Sequence, residues 1–292
     1  MKTKKKITKK QIHAYVRIAV QIAFFIWMPA AFTSAFSGIK YIFTQIGNTS
    51  IVEINSFVKF LIGLCLYTIV FGRFFCGYAC AFGSLGDWIH SIYLKVFKKL
   101  KKKPFLLNKS YKKYFSMVKY VVLSGIVILC FMGKYQNVTA TGYSPWQVFS
   151  MLIAGNFHLK SFYLGIVLLI IIMVGMAICE RFFCRFLCPM GAIFSMLPVI
   201  PAFRLKRDRE NCLKGCKACT LSCPSDIELS DLADKNSEAH TGDCFMCHRC
   251  VNTCPKGNIK ASGIIWNVSA IWFILVRVVI LVIILAFLTK GK

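Results

Sequence analysis

Eight cysteines confined to residues 212–255 restrict the possible structures of this 292-residue chain more than any other feature. They form two runs that each end in Cys-Pro, namely Cys212, Cys216, Cys219 and Cys223, followed by Cys244, Cys247, Cys250 and Cys254. The second run has the spacing C-x2-C-x2-C-x3-C-P, which is typical of segments that hold two 4Fe-4S clusters. The first run departs from this spacing, because three residues separate its first two cysteines.

In such paired runs, three cysteines of one run and the last cysteine of the other hold each cluster. We therefore assign cluster 1 to Cys212, Cys216, Cys219 and Cys254, and cluster 2 to Cys244, Cys247, Cys250 and Cys223. A zinc site would favour pairs of C-x2-C, and neither zinc nor a disulfide framework explains two runs of four that end in Cys-Pro. The sequence predicts a small α+β two-cluster ferredoxin-like domain in this segment.

The rest of the chain is strongly apolar. Hydrophobic residues make up 57% of the sequence and the mean hydropathy is +0.61, which exceeds the range of soluble enzymes. Stretches long enough for a bilayer crossing lie at 14–36, 57–72, 115–133, 161–179 and 264–288. The fold class that we expect is therefore an α-helical integral membrane protein with about five transmembrane helices.

Lysine and arginine are distributed unevenly between these stretches. The N-terminal segment, 73–114 and 180–263 are rich in basic residues, whereas 37–56 contains Lys40 alone. Because basic residues accumulate on the cytoplasmic side, we expect a multi-pass protein of the cell (inner, cytoplasmic) membrane with its N-terminus and ferredoxin-like domain in the cytoplasm. Orientation and attraction to anionic lipid account for the formal net charge of +26, so we expect no nucleic-acid partner.

A cysteine motif follows the second and the fourth apolar stretch. The first copy reads R-F-F-C-G-Y-A-C-A-F-G from residue 73, and the second reads R-F-F-C-R-F-L-C-P-M-G from residue 181. The duplication predicts two parallel membrane repeats. The copies contain four candidate redox cysteines, Cys76, Cys80, Cys184 and Cys188. These would form a third metal or iron–sulfur site or a reversible dithiol pair, or else pack the repeats together as small residues.

These features divide the chain into five parts. They are a first membrane repeat at 1–90 ending in Cys76 and Cys80, a basic cytoplasmic loop at 91–114, a second membrane repeat at 115–203 ending in Cys184 and Cys188, the ferredoxin-like domain at 204–262, and a C-terminal transmembrane helix at 263–292. Cys65, Cys130 and Cys179 lack partners at ligand spacing, and we interpret them as small apolar residues. Arg277 lies in the middle of the last stretch, where a charge needs a partner, a function or a path to the interface.

The helix-end cysteine pairs, the second of them spaced C-x3-C-P, and the two-cluster segment that follows resemble the membrane-bound NapH-type 4Fe-4S ferredoxins, or polyferredoxins. This superfamily has relatives in nitrous-oxide respiration and in cytochrome-oxidase assembly. The resemblance covers residues 15–260 and implies electron transfer between the quinone pool or a cytoplasmic donor and a partner redox protein. The chain departs from the pattern at Ala81, at the extra residue after Cys212 and in its fifth apolar stretch.

Our first interpretation is a membrane-bound iron–sulfur electron-transfer protein, more a subunit of an oxidoreductase system than a stand-alone enzyme. No histidine pairs lie within the apolar stretches, so we expect a quinone, a flavin or a partner subunit rather than haem to carry electrons across the membrane. The oxidase-assembly relatives suggest an alternative, a membrane copper reductase or assembly factor that uses the helix-end cysteine pairs. A redox-sensing regulator is a third interpretation, for which we would expect a separate output domain.

Overall fold

The computed structural model describes residues 9–107, 109–133, 144–155, 162–200, 205–208, 210–227, 241–261 and 270–290. The lysines before residue 9, and most of the segment 134–160 that is poor in basic residues, lie outside the described residues.

Most of the described chain is helical. The helices are α1 (Lys9–Trp27), α2 (Ala31–Gly47), α3 (Ser56–Phe71), α4 (Phe74–Tyr78), α5 (Ala81–Lys99), α6 (Lys109–Phe115), α7 (Val118–Phe131), α8 (Pro145–Ile153), α9 (Tyr163–Ile178), α10 (Pro189–Met196), α11 (Ala218–Leu221), α12 (Arg249–Thr253) and α13 (Ala270–Lys290). A π-helical turn, Phe183–Leu187, precedes α10, and a 3-10 turn, Thr241–Asp243, precedes the second cysteine run.

Local sequence explains where several helices begin and end. The side chain of Asn55 accepts a hydrogen bond of 3.0 Å from the Val58 N–H and so caps α3. Pro145 and Pro189 begin α8 and α10, where the missing N–H of proline removes no helical hydrogen bond. Gly72 ends α3 with a φ of +69°, a conformation that glycine adopts without steric cost.

The prediction of five transmembrane helices is wrong. By length and apolarity, one helix in the described part of the chain can cross a bilayer alone, Ile271–Thr289 within α13. A second crossing is obtained only by counting α1 and α2 together, and these are bent by 60°. Pro29 lies in the break between them. Because proline lacks the N–H of the helical ladder and its ring collides with the preceding turn, it interrupts the predicted stretch 14–36.

The three middle stretches form helices that are too short to cross by themselves. α3, α7 and α9 contain 16, 14 and 16 residues. At 1.5 Å per residue they are about 24, 21 and 24 Å long, against a hydrocarbon core of about 30 Å. α9 ends at Ile178, and the backbone of the next residue, Cys179, is already extended. The predicted stretches 57–72, 115–133 and 161–179 end within two residues of these helix ends, so the error lay in counting such short stretches as crossings.

An aromatic cluster lies beside the repeated cysteine motif. The ring centroid of Phe82 lies 4.7 Å from that of Phe183 and 5.4 Å from that of Phe32. Phe82 belongs to the first copy of the motif and Phe183 to the second. The two copies therefore pack against each other and against α2 in the same apolar core.

The C-terminal helix α13 packs against α3. The Tyr67 hydroxyl donates a hydrogen bond of 3.0 Å to the carbonyl oxygen of Arg277. The Arg277 guanidinium is buried, and its central carbon lies 4.2 Å from the ring centroid of Phe273. At this distance the ring face attracts the cation. The arginine in the middle of the apolar helix thus lies in an aromatic environment.

The prediction of a small α+β ferredoxin-like domain is also wrong. The strands in the described part of the cysteine-rich segment are β1 (Leu205–Arg207) and β2 (Ile259–Ala261), which pair antiparallel with Leu205 opposite Ala261. Loops and short helical turns make up the remainder. A two-stranded pair of this length cannot bury a core of its own. Leu205 and Ile259 instead belong to the same buried apolar cluster as the helices.

Candidate functional site

The four cysteines of the repeated motif are buried between the two copies. Cys76 lies in α4 and Cys80 directly precedes α5, while Cys184 lies in the π-helical turn and Cys188 directly precedes α10. Their exposed fractions are 5%, 4%, 3% and 4%. Burial, together with the neighbouring Cys76 thiol, raises the pKa of Cys184 to about 12. Burial and the thiols of Cys184 and Cys76 likewise raise the pKa of Cys80, so the two pairs lie within electrostatic range of each other.

The arginine of each copy contacts the other copy. Arg73 Nη2 donates a hydrogen bond of 3.4 Å to the carbonyl oxygen of Cys184. Arg181 Nη1 donates to the carbonyl oxygen of Cys76, and its Nη2 donates to that of Gly77 at 2.9 Å. Both guanidinium groups are buried. These reciprocal contacts hold the two cysteine pairs against each other.

Asp87 is the carboxylate partner of Arg181. Arg181 donates to its two oxygens at 2.8 and 2.5 Å, Arg17 of α1 donates at 2.6 Å, and Gln21 donates at 2.7 Å. Burial alone would raise the pKa of Asp87, but the guanidinium groups of Arg17 and Arg181 hold it well below its usual range. We refer to Arg17, Arg181 and Asp87 as the first charge triad.

Arg73, Lys119 and Asp243 form the second charge triad. Asp243 Oδ1 accepts hydrogen bonds from Arg73 at 2.9 Å and from Lys119 at 2.5 Å. The two cations are buried, whereas the Asp243 side chain is 40% exposed. Burial would raise the pKa of Asp243, but Arg73 and Lys119 lower it below its usual value. Each triad thus places two cations and one carboxylate beside the repeated motif.

Phe245 connects the repeated motif with the cysteine-rich segment. Its ring centroid lies 4.8 Å from the guanidinium carbon of Arg73 and 5.0 Å from that of Arg181. Cation–π attraction operates at these distances. Because Phe245 directly follows Cys244, the two arginines that tie the helix-end cysteines together also position the second cysteine run.

The predicted ligands of cluster 2 line one small cavity. They are Cys223, Cys244, Cys247 and Cys250. Burial, followed by the neighbouring Cys247 thiol, raises the pKa of Cys244 to about 12 and that of Cys223 to about 11. His248 also lines the cavity, and its buried Nδ1 has no hydrogen-bond partner within the described residues. Four thiols and an unsatisfied polar atom around one cavity fit a thiolate-ligated cluster.

The backbone bends sharply on either side of Cys247. Met246 and His248 have φ angles of 50° and 55°, in the left-handed region that non-glycine residues rarely adopt. Such strain persists where the surrounding structure enforces it, which is frequent at functional sites. Here the two bends wrap the chain around the cavity.

The predicted ligands of cluster 1 form a second group of cysteines. Cys212, Cys216, Cys219 and Cys254 are each partly accessible. Cys212 Sγ donates a hydrogen bond of 3.3 Å to the Asp208 carbonyl oxygen, and Arg207 donates to Cys219 Sγ at 3.7 Å. Cys219 also lines the cavity of the other set, so the structure separates the two sets less clearly than the spacing suggests. The assignment of these four cysteines stays a prediction.

A single metal ion needs several ligands around one point. Among the described residues, no group of three or more His, Cys, Asp or Glu side chains converges closely enough to hold one metal ion. A cubane distributes its thiolates over four iron atoms, so its ligands need not converge on one centre.

Three residues that position the site were missed from the sequence. Asp243 and Phe245 flank Cys244, and this adjacency was the one available signal. Lys119 lies at the start of an apolar helix, far from any cysteine motif in the sequence, and only the fold brings it to Asp243.

Comparison with protein families defines the class of protein. The 4Fe-4S binding domain matches twice, at residues 56–104 and 161–207, and the 4Fe-4S dicluster domain matches residues 204–255. The first two matches contain the repeated motif, and the third contains all eight cysteines of the two runs. The chain is therefore an iron–sulfur protein of the 4Fe-4S type.

Relatives specify the family further. An uncharacterized protein of Methanocaldococcus jannaschii is 32% identical over 198 residues, 67% of this chain and 67% of that protein. A second one from the same organism is 28% identical over 214 residues, 72% of this chain and 80% of that protein. Ferredoxin-type protein NapH of Haemophilus influenzae is 25% identical over 203 residues, 67% of this chain and 64% of NapH. No solved structure matches.

The chain belongs to the NapH-type 4Fe-4S ferredoxin superfamily, which confirms the resemblance inferred from the sequence. Its function is iron–sulfur electron transfer.

Proposed function

We propose that this chain is a membrane-bound carrier that holds two 4Fe-4S clusters on its cysteine-rich segment and exchanges electrons with the quinone pool or a cytoplasmic donor and with a partner redox protein. The observation that carries the proposal is the single cavity lined by Cys223, Cys244, Cys247 and Cys250. Both runs contribute thiols to it, as crossed ligation requires. A bound 4Fe-4S cluster supplies one-electron chemistry at this site.

The side chains around the cavity suit such a cluster. Phe245 and Met246 are buried and exclude water from one side of it. Arg185, in the second copy of the motif, donates hydrogen bonds of 2.9 Å to the Pro224 carbonyl oxygen and to Asp226. It thereby holds the turn that follows Cys223. Because solvent access and hydrogen bonding to sulfur set the potential of a cluster, this packing supports an electron-transfer role.

Exposed apolar side chains support a location in the membrane. In α13, Trp272, Ile283 and Phe287 are 63%, 62% and 79% exposed. Ile170 and Ile171 of α9 are 54% and 57% exposed. Such surfaces are unfavourable in water but suit contact with lipid chains. We place α13 across the bilayer and the apolar faces of α3, α7 and α9 against lipid.

The charge pattern supports a cytoplasmic position for the cysteine-rich segment. Lys98 and Lys99 end α5, and exposed lysines continue from 101 to 103. Such residues are retained on the cytoplasmic side. That compartment is also reducing, which keeps cysteines available as thiolates for clusters.

A cleft of about 390 Å³ lies where the bend between α1 and α2 meets α3 and α13. Its apolar lining includes Trp27, Met28, Phe57, Phe60 and Leu288, and its polar groups include Ser34, Ser56 and Thr289. Small-molecule sites have this size and this mixture of apolar walls with a few polar groups. The cleft supports a lipid-soluble redox partner such as a quinone.

Electron transfer is tested with the full-length protein in anaerobic liposomes. Addition of a quinol should produce the electron paramagnetic resonance signal of reduced 4Fe-4S clusters, with dithionite as the positive control. Leu288→Trp should fill the cleft and slow reduction by the quinol without affecting reduction by dithionite. Phe287→Trp is the matched control, because residue 287 is 79% exposed outside the cleft lining.

Two outcomes would contradict parts of the proposal. Reduction by dithionite but never by a quinol would remove the quinone and leave a protein donor. A protein that contains no 4Fe-4S cluster after anaerobic purification would refute the proposed carrier function itself.

A further inference from the structure

Neither match to the 4Fe-4S binding domain contains enough cysteines for a cubane. Residues 56–104 include Cys65, Cys76 and Cys80, and residues 161–207 include Cys179, Cys184 and Cys188. A cubane held by thiolates requires four. One match by itself therefore cannot supply the ligands that its family name implies.

The third cysteine of each match lies outside the repeated motif. Cys65 lies within α3, whereas Cys76 lies in α4, beyond the break at Gly72. Cys179 directly follows α9, and its Sγ donates a hydrogen bond of 3.7 Å to the Glu180 carbonyl oxygen. This leaves two buried thiols in each match, and the fold places these two pairs side by side.

We propose that the two matches together hold one 4Fe-4S cluster, on Cys76, Cys80, Cys184 and Cys188. The inference rests on the proposed iron–sulfur function but concerns thiols that are separate from the cysteine-rich segment. It gives the repeated motif a single shared cofactor, with Arg73 and Arg181 as the nearest counter-charges.

The second copy provides a hydrogen bond to sulfur. The Gly191 N–H donates to Cys188 Sγ at 3.2 Å. This N–H lies in the first turn of α10, where free N–H groups and the helix dipole favour negative charge. A hydrogen bond to the charged form stabilises a thiolate relative to a thiol.

The positive charge of the two triads is neutralised better by a bound cluster than by free thiols. Each triad has two cations and one carboxylate, so each has a surplus of one positive charge. A 4Fe-4S core of charge about 2+ with four thiolates has a net charge of about 2−, which matches the two surpluses together. A pair of neutral dithiols would leave both surpluses buried, which is costly. One copper(I) ion on two thiolates would offset only one of them.

Arg73 provides a further observation. Its Nε is buried and has no hydrogen-bond partner within the described part of the chain. Its guanidinium interacts electrostatically with Cys76, Cys184 and Cys188. Sulfur acceptors of a bound cluster would satisfy this group, which is otherwise an unpaired buried donor.

The shared site is tested by iron and sulfide content of the full-length protein purified without oxygen. Wild-type protein should contain about twelve irons per chain, because three cubanes hold four each. The variants Cys76→Ala with Cys80→Ala, and Cys184→Ala with Cys188→Ala, should each lose the same four irons, as should the quadruple variant. The matched control is Cys65→Ala with Cys179→Ala, which removes the remaining cysteine of each match and should retain all twelve.

The outcomes distinguish this inference from the proposed function. Wild-type protein with eight irons would refute the shared cluster and leave the carrier function intact. Wild-type protein without the eight irons of the cysteine-rich segment would refute the carrier function. Pair variants that lose different amounts of iron, or stoichiometric copper in wild-type protein, would also overturn the inference. Variants that retain eight irons must be folded, because the two clusters of the cysteine-rich segment are then still bound.

A measurement on wild-type protein alone covers the case in which the variants do not fold. Mass spectrometry after alkylation should show Cys76, Cys80, Cys184 and Cys188 protected together and released together when iron is chelated. Alkylation of one pair before the other, or of all four before iron is lost, would contradict a shared cluster.

Discussion

Arg181 and its counterpart Arg73 occupy the same position of the repeated motif with different backbone conformations. Arg181 has a φ of 59°, whereas Arg73 has a φ of −73°. A non-glycine residue in the left-handed region costs about 1–3 kcal/mol when the surrounding structure enforces it. The hydrogen bonds of Arg181 to Asp87 and to the carbonyl oxygens of Cys76 and Gly77 offset this cost.

At this scale, Asp87→Asn should destabilise the protein strongly. It removes the carboxylate that Arg17 and Arg181 share and leaves two buried cations without a counter-charge. Breaking a buried ion pair in this way costs about 3–5 kcal/mol. Thermal unfolding in detergent at pH 7 measures the loss. Glu53→Gln, at an exposed position, is the control and should leave the melting temperature unchanged.

The destabilisation caused by Asp87→Asn should depend on pH in a defined way. The pKa of Asp87 in the folded protein lies below its usual value, so the carboxylate contributes stability above the unfolded-state pKa of about 3.9 and loses it as pH falls through the folded pKa. The difference in melting temperature between wild type and Asp87→Asn should therefore stay constant from about pH 8 to pH 5 and shrink only below about pH 4. A difference that already shrinks between pH 7 and pH 5 would show that the pKa is raised.

At the scale of elements, the helices α5 and α10 approach the opposite arginine at equivalent glycines. A Cβ at Gly83 would lie 2.6 Å from the Cys76 carbonyl oxygen, and a Cβ at Gly191 would lie 2.8 Å from that of Cys184. Each would also lie within 2.9 Å of the guanidinium of the other copy. Such distances are shorter than real contacts, so neither position accepts a side chain without displacing backbone.

Gly83→Ala and Gly191→Ala should therefore each destabilise the protein and lower its iron content by about four, because the arginine contacts hold the cysteine pairs together. Gly125→Ala is the matched control in α7, where an added Cβ meets nothing within 4 Å. Replacing an unconstrained helical glycine should raise stability by up to about 1 kcal/mol. Equal melting temperatures for the three variants would show that the close approach is unimportant.

The cavity of the cysteine-rich segment allows a separate prediction. Cys247→Ser should remove one cluster from this segment and leave the other, since crossed ligation shares only Cys223 and Cys254 between the runs. Iron content should fall by about four, and the spectra should retain one ferredoxin-type cluster. Spectra that show both clusters intact would contradict the assignment of Cys247. Cys130→Ser, a buried cysteine outside both runs, is the control.

At the scale of the whole molecule, sidedness and membrane insertion are tested together. The protein should resist extraction from membranes by alkaline carbonate, because α13 is long and apolar enough to cross the bilayer. Trypsin should cleave at the exposed lysines 101–103 in inside-out vesicles but not in right-side-out vesicles. Cleavage in right-side-out vesicles alone would place the cysteine-rich segment on the opposite side.

The class of cofactor and the family were determined by the sequence alone. Ligand spacing within Cys244–Cys254 is a local property, since a tight loop must present closely spaced thiols to one cluster. The same holds for the repeated motif, whose two copies share Arg, Phe, Phe, Cys, Cys and Gly in register over a short stretch. Such patterns can be recognised without any knowledge of distant contacts.

Only the tertiary structure decided the number of crossing helices, the form of the cysteine-rich segment and the partners of the repeated motif. Hydropathy sums over a window and is insensitive to the break at Pro29, which divides the stretch 14–36 between two helices. Arg73 contacts Cys184 across 111 residues and Lys119 contacts Asp243 across 124. Buried charges must find partners wherever the fold provides them, and no local pattern in the sequence specifies where that is.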